Sequence, residues 1–329
     1  MFIGEDVRME KFQILEHEEL QRKCDYSFGD QSGVLCFCPN AYMKKANMGN
    51  REFLDKYEEV KKTKEYMTLY IDNIRLYKRP IEYSDWLKMR PVSPSDREWL
   101  DEMLDEDLLS LCSRLPDMKF IIFTGCEDTP LDDSICIPDN VLAIHAASSL
   151  FFNEKIIPFP LGIQRQMRLG CNNHDILQRM IKEDSLAKRM LYVNVNYGTG
   201  NRGNVYPVFR EKGWPTVSER VGYEEYLRGM KDHKFVLCPA GNGIDCHRNW
   251  ETLYLRRVPV LEKNPFLELL FEGFPCLFVE DLFRLEESSL IENEQLYYDV
   301  LKIDFDKLNL EKIFHKKTEL LYRGRYEKI

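Results

Sequence analysis

The chain has 329 residues, 44% hydrophobic and 31% charged, with 46 basic against 55 acidic side chains and a formal net charge of −9. This composition fits a globular chain with room for two domains and excludes wholesale disorder. The acidic balance leaves no basic field for a nucleic-acid backbone, so a small anionic ligand would need positive charge concentrated at one site.

The opening MFIGEDVRME is charged, and no apolar run reaches membrane-span length. We therefore expect no signal peptide, no transmembrane segment and a cytoplasmic location. Ten cysteines sit mostly in apolar runs, without paired C-x-x-C units. They read as reduced core thiols, with no zinc site expected.

In the first half, strands are predicted at VLCFC (34–38), YMTLYID (66–72), KFIIFTG (119–125), VLAIHAA (141–147) and IIPFPLG (156–162). Helices are predicted at REFLDKYEEVKKTK (51–64) and SPSDREWLDEMLDEDLLSLCSRL (93–115), the second behind a Ser/Asp cap signal. Apolar runs buried on both faces and separated by helices imply a parallel sheet.

A polar link, CNNHDILQRMIKEDSLAKR (171–189), precedes a second unit. It reads as strand MLYVNVN (190–196), a short strand near Thr216, helix YEEYLRGMKD (223–232) and strand FVLCPA (235–240). Helix CHRNWETLYLRR (246–257), strand VPVL (258–261), helix FLELLFEG (266–273), strand PCLFVED (275–281) and two closing helices complete it. The expected fold is α/β, with two Rossmann-like domains, 1–185 and 186–329, facing a cleft. The last helix, LEKIFHKKTELLYRGRY (310–326), could lean back on the first domain. Ligands of such sheets bind beyond the carboxyl ends of the strands.

The turn after FVLCPA crowds Gly241, Asn242, Gly243, Asp245, His247 and Arg248 together. The glycines would allow positive φ and close approach to a ligand, and the helix behind them would aim N–H groups and its positive dipole end outward. Arg248 and His247 would complete an anion site for a diphosphate. Glu251, three and four residues on from them, shares their face and can accept from the two hydroxyls of a ribose. The plainer alternative makes Asp245 a helix cap, Arg248 and Glu251 a surface ion pair, and the glycines a mere turn.

Residues 234–261, KFVLCPAGNGIDCHRNWETLYLRRVPVL, resemble the carboxy-terminal signature of exostosin-type glycosyltransferases, inverting enzymes with the two-domain GT-B fold. Leu237-Cys238-Pro239, Gly241, Arg248, Glu251, Tyr254 and Val258-Pro259-Val260 fall in register with it. The departures are Thr252 for alanine, and Arg256-Arg257 for a Gly-Cys pair whose glycine would end the helix. The two arginines could serve a donor or acceptor feature outside the family pattern. The resemblance implies a nucleotide-sugar donor, usually a UDP-sugar, with Arg248 on the diphosphate and Glu251 on the ribose. It also implies transfer of the sugar to a hydroxyl of a glycan acceptor.

MLYVNVNYGTGNRGNVY contains Gly198-x-Gly200-x-x-Gly203 behind a strand, a dinucleotide fingerprint that makes an NAD(P)-dependent oxidoreductase the rival. Asn204, Pro207 and Gly213 argue against the helix that fingerprint needs directly behind it. In the transferase reading, Asn196, Thr199 and Arg202 would hold the other side of the diphosphate. A non-catalytic sugar-nucleotide- or glycan-binding protein is a further alternative.

Inverting transfer needs a base for the acceptor hydroxyl and groups that stabilise the leaving diphosphate. Asp72, Glu127 and Asp128, which follow predicted strands, are the candidate bases; Asp30 and His145 are weaker ones. No cofactor is expected and no metal, because enzymes of the GT-B type generally stabilise the leaving group with cations and helix ends. Asp304-Phe-Asp306 has the letters of a metal motif but falls between closing helices, and Asp105-Glu106-Asp107 reads as a solvated helix face.

Overall fold

A computed structural model describes residues 17–28, 49–71, 76, 107–125, 130–151, 153–163, 173–183, 185–195, 202–241 and 243–304. The expectations for 34–38, Asp30, Asp72, Asp105, Glu106, Glu127, Asp128, Asn196, Thr199, Asn242, Asp306 and 310–326 lie outside these residues.

The described part of the first half holds α1 (His17–Lys23), β1 (Tyr26–Ser27), α2 (Gly49–Val60), β2 (Tyr66–Ile71) and α3 (Leu108–Ser113). β3 (Lys119–Thr124), β4 (Val141–Ala146) and β5 (Ile156–Pro158) follow. Its five strands are parallel and stand in chain order, β1-β2-β3-β4-β5. One face is covered by α2, whose Phe53, Tyr57 and Val60 recur at helical spacing against Met67, Leu69, Phe120 and Ile122. The other face, through Tyr70, Ile121 and Phe123, joins Phe159, Leu161 and Ile163 in a core continuous with that of the second half. Of the helix predicted over 93–115, residues 93–106 lie outside the described residues, and α3 starts afresh behind Asp107. Asp107, one of the three residues of the supposed solvated face, is instead its buried cap, accepting from the Ser110 N–H at 2.8 Å.

The second half comprises α4 (Asn173–Lys182), β6 (Arg189–Asn194), α5 (Arg202–Lys212), β7 (Thr216–Ser218), α6 (Tyr223–Lys231) and β8 (His233–Leu237). After them come α7 (His247–Tyr254), β9 (Val258–Glu262), α8 (Pro265–Leu270), β10 (Leu277–Val279), α9 (Glu287–Glu292) and α10 (Gln295–Val300). Its parallel sheet runs β10-β9-β8-β6-β7, which is 2-1-3-4-5 counted from its own first strand. This order reverses between β6 and β8, and the crevice beyond the carboxyl ends at such a reversal is where open α/β sheets take ligands. Among the described strands the first sheet has no reversal, and the second supplies the switch point.

One expectation is corrected here. α5 does open at Arg202, directly behind the glycine run, and carries Pro207 inside it. Burial of Val205 and Phe209 holds the helix together despite the proline, and Gly213, at φ 72°, ends it.

The far end of α7 explains the Arg256-Arg257 departure. Arg256 takes the left-handed conformation, φ 55°, that a glycine would adopt there. Its N–H reaches the Leu253 carbonyl at 2.9 Å and that of Arg257 the Thr252 carbonyl at 3.0 Å, a complete Schellman motif. The backbone cost is about 1–2 kcal/mol. The Arg256 guanidinium offsets it by donating to the carbonyls of Leu301 and Ile303. Arg257, 1% exposed, donates to the carbonyls of Lys231, Leu255, Arg256 and Ser185, closing the ends of α6 and α7. Both arginines bond to backbone carbonyls at the end of α7 opposite the glycine turn.

Candidate functional site

The loop 238–246 leaves the carboxyl end of β8 at the switch point and delivers the chain to α7. Arg248, in the first turn of α7, is 6% exposed. Its Nε donates to the Tyr226 hydroxyl at 3.2 Å and its Nη1 to the Leu237 carbonyl at 3.3 Å, both long bonds, and the guanidinium lies 5.6 Å from the Tyr226 ring centre. Among the described residues Nη2 makes no hydrogen bond and Arg248 forms no ion pair. Arg257 commits its fork to backbone carbonyls, whereas Arg248 keeps donor capacity in hand.

Glu251 is equally buried. Tyr223 donates to its Oε1 at 2.9 Å and Tyr226 to its Oε2 at 3.1 Å, both from α6. The supposed Arg248–Glu251 surface pair therefore does not form: the two groups are buried and joined through the Tyr226 hydroxyl. Burial, and then the Glu251 charge, hold both phenols well above their ordinary pKa, so they remain donors. Each Glu251 oxygen retains a second lone pair for a ligand hydroxyl.

Arg202 approaches the same loop from α5. Its Nε reaches the Pro239 carbonyl at 3.3 Å, and its Nη2 lies 3.1 Å from where a Cβ on Gly241 would stand. A side chain at Gly241 would press on the Arg202 guanidinium and displace it slightly; the φ of Gly241 is not positive, contrary to the expectation from sequence. Burial pushes the Cys238 thiol up to about 12 and raises that of Cys246, while Arg202 and Arg248 both pull against it at each sulfur. The two cations therefore converge on one loop.

Asp245 has a different task from the ligand contact expected of it. Its Oδ1 accepts from Cys246 N–H and Asn249 Nδ2, both at 2.8 Å, and its Oδ2 from Trp250 Nε1 at 2.7 Å and Leu161 N–H at 2.9 Å. A carboxylate of the protein thus occupies part of the helix mouth that sequence reasoning left to a ligand. His247 is likewise tied to the first half, its Nδ1 donating to the Gly162 carbonyl at 2.9 Å. Gly243 is half-buried beside them. Thr252, alanine in the resembled pattern, turns its hydroxyl back to the Arg248 carbonyl at 2.6 Å.

Of the candidate bases only the weaker His145 is described. It sits in β4, fully buried, stacked on Phe123 at 4.5 Å and edge-on to Phe159, which is a packing role. Ser148, after β4, and Leu161 and Gly162, after β5, meet residues 244–247, so carboxyl ends of both sheets adjoin here. Neighbouring strands are about 4.8 Å apart, which sets the end of β3 about 10 Å from that of β5, and the end of β2 about 14 Å away. Glu127 and Asp128 follow the nearer strand and Asp72 the farther one.

Sequence reasoning missed Tyr223 and Tyr226. Their spacing along an amphipathic helix was visible, but nothing local announced that both would turn toward α7. Among the described residues no group of three His, Cys, Asp or Glu side chains could hold a metal ion, and no helix is long and apolar enough to cross a membrane. Six cysteines there are free thiols, and Cys136 is exposed, unlike the core thiols expected. No protein-family model matches the chain, and no curated protein matches it.

Proposed function

We propose that the chain is an inverting glycosyltransferase of the GT-B type, working in the cytoplasm without a cofactor or metal. It would move a sugar from a nucleoside diphosphate, UDP in the first instance, to a hydroxyl of a glycan. The observation that carries this reading is Arg248: a buried guanidinium with unused donors and no ion pair among the described residues, at the switch point of the second sheet, with Arg202 reaching the same loop at Pro239. A buried charge in this state calls for an anion. Two arginines give the planar, charge-assisted donors that a diphosphate accepts. The resemblance of residues 234–261 to the exostosin-type signature adds sugar transfer to diphosphate binding.

In this mechanism a first-half carboxylate, Glu127, Asp128 or Asp72, takes the proton from the acceptor hydroxyl. The oxygen then attacks the anomeric carbon from the face opposite the diphosphate, whose bond to that carbon breaks. Arg248 and Arg202 meet the charge left on the departing phosphate, and Glu251 holds the ribose.

The test is a thermal-shift series against nucleoside diphosphates and their sugars, followed by UDP-sugar hydrolysis without acceptor. UDP should raise the melting temperature, and slow hydrolysis should accompany it. No shift with any nucleoside diphosphate refutes the reading, and a shift without turnover favours a non-catalytic binder. One observation favours the oxidoreductase as second reading: α5 opens directly behind the glycine run after β6, as a dinucleotide site requires. A nicotinamide fluorescence titration that saturates would prefer it.

A further inference from the structure

The four donors on Asp245 divide unequally. Cys246, Asn249 and Trp250 belong to the second half and hold the carboxylate rigidly, with Trp250 stacked on Phe271 at 4.6 Å. The fourth donor, the Leu161 N–H, comes from the first half. Two further ties flank it, His247 Nδ1 to the Gly162 carbonyl at 2.9 Å and Ile244 N–H to Ser148 Oγ at 3.4 Å. Gly162 stands at φ 66°, a left-handed turn that side-chain-bearing residues rarely take. The short segment after β5 is thus shaped to present one N–H and one carbonyl to the start of α7.

We propose that Asp245 is a latch between the two halves: its bond to the Leu161 N–H fixes the first turn of α7, and with it Arg248, against the ends of β4 and β5. Three of its four bonds travel with the second half, so separation begins at Leu161. A carboxylate with four donors resists substitution by its own amide, because asparagine offers an NH2 where two of those donors point. Arg248 lies three residues on, within one helical turn, so the latch sets where the guanidinium stands when the halves are joined. The inference concerns the contact between the halves and does not depend on what the site binds.

Hydrogen–deuterium exchange on the full chain tests it. In Asp245→Asn, segments 159–163 and 243–250 should exchange about ten- to a hundred-fold faster, the loss of a charge-assisted hydrogen bond, while β6 and β8 keep their protection. Unchanged exchange in both segments, or a uniform rise across the chain, overturns the proposal. Gly162→Ala provides a second route if Asp245→Asn does not fold. Straining the turn from the first half should loosen 243–250 as well as 159–163, and acceleration confined to 159–163 would refute the latch.

Discussion

Two buried arginines stand at opposite ends of α7, and replacing each by methionine separates a ligand group from a structural one. Arg257 donates to four different backbone carbonyls, so its removal strands acceptors at the ends of two helices. Arg257→Met should cost about 3–5 kcal/mol. Arg248 makes two long hydrogen bonds, at 3.2 and 3.3 Å, and one cation–π contact. Against these stands the penalty of burying an ion, several kcal/mol. Methionine keeps most of the side-chain volume and removes both sides of that balance, while Glu251 retains its two tyrosine donors. The net change for Arg248→Met should fall within about 1 kcal/mol of zero. Urea unfolding of both variants gives these values, and the thermal shift with UDP should vanish in Arg248→Met. If Arg248→Met unfolds as easily as Arg257→Met, or keeps the UDP shift, the guanidinium is a structural group and the anion site is misassigned.

Tyr226→Phe keeps the ring under Arg248 but removes the hydroxyl between it and Glu251; UDP binding should weaken about tenfold while inorganic pyrophosphate binding changes less, measured by calorimetry. Among the candidate bases, Glu127→Gln or Asp128→Asn should lower kcat more than Asp72→Asn, since β3 ends nearer to β5 than β2 does; the opposite ranking in steady-state assays would refute this placement. Burial pushes the Asp245 carboxyl up to about 6 from an ordinary 3.8, so its contribution to stability is fully present below pH 3.8 and lost as pH rises through 6. The stability of wild type relative to Asp245→Asn should therefore fall by up to about 3 kcal/mol between pH 4 and 7, followed by urea midpoints; a difference that is flat or grows with pH contradicts it.

The central strands of both sheets were legible because they are buried on two faces, and runs such as KFIIFT and FVL need no long-range information to be recognised. β1, only Tyr26–Ser27, was not legible: two residues carry no period, and they pair with β2 across 43 positions of sequence. α5 was misjudged because Pro207 outweighs its neighbours locally, whereas tertiary burial of Val205 and Phe209 decides the outcome. In the site, Arg248 and Glu251 announced themselves by spacing. Their partners could not, since Tyr223 and Tyr226 lie on another helix, and Arg202 reaches Gly241 from across the switch point.

The crowding of polar groups between Gly241 and Glu251 has two physical origins. Asp245 and His247 bind the first half through Leu161 and Gly162, and every bond described for them is to protein. A helix start lodged between two sheets must satisfy its own donors and those of the segment it meets, which accounts for a carboxylate with four bonds. Fold alone does not account for Arg248. Arg257 shows that this chain can satisfy a buried guanidinium with carbonyls when the role is structural. Among the described residues Arg248 has instead a phenol and one carbonyl. Arg248 and Arg202 both reach the loop between Cys238 and Cys246, where the donors of each would meet a diphosphate. A diphosphate offers a phosphoryl group to each arginine, whereas a monophosphate, already carrying nearly two charges, has only one to share between them. UDP should therefore protect the site more than UMP does at equal saturation.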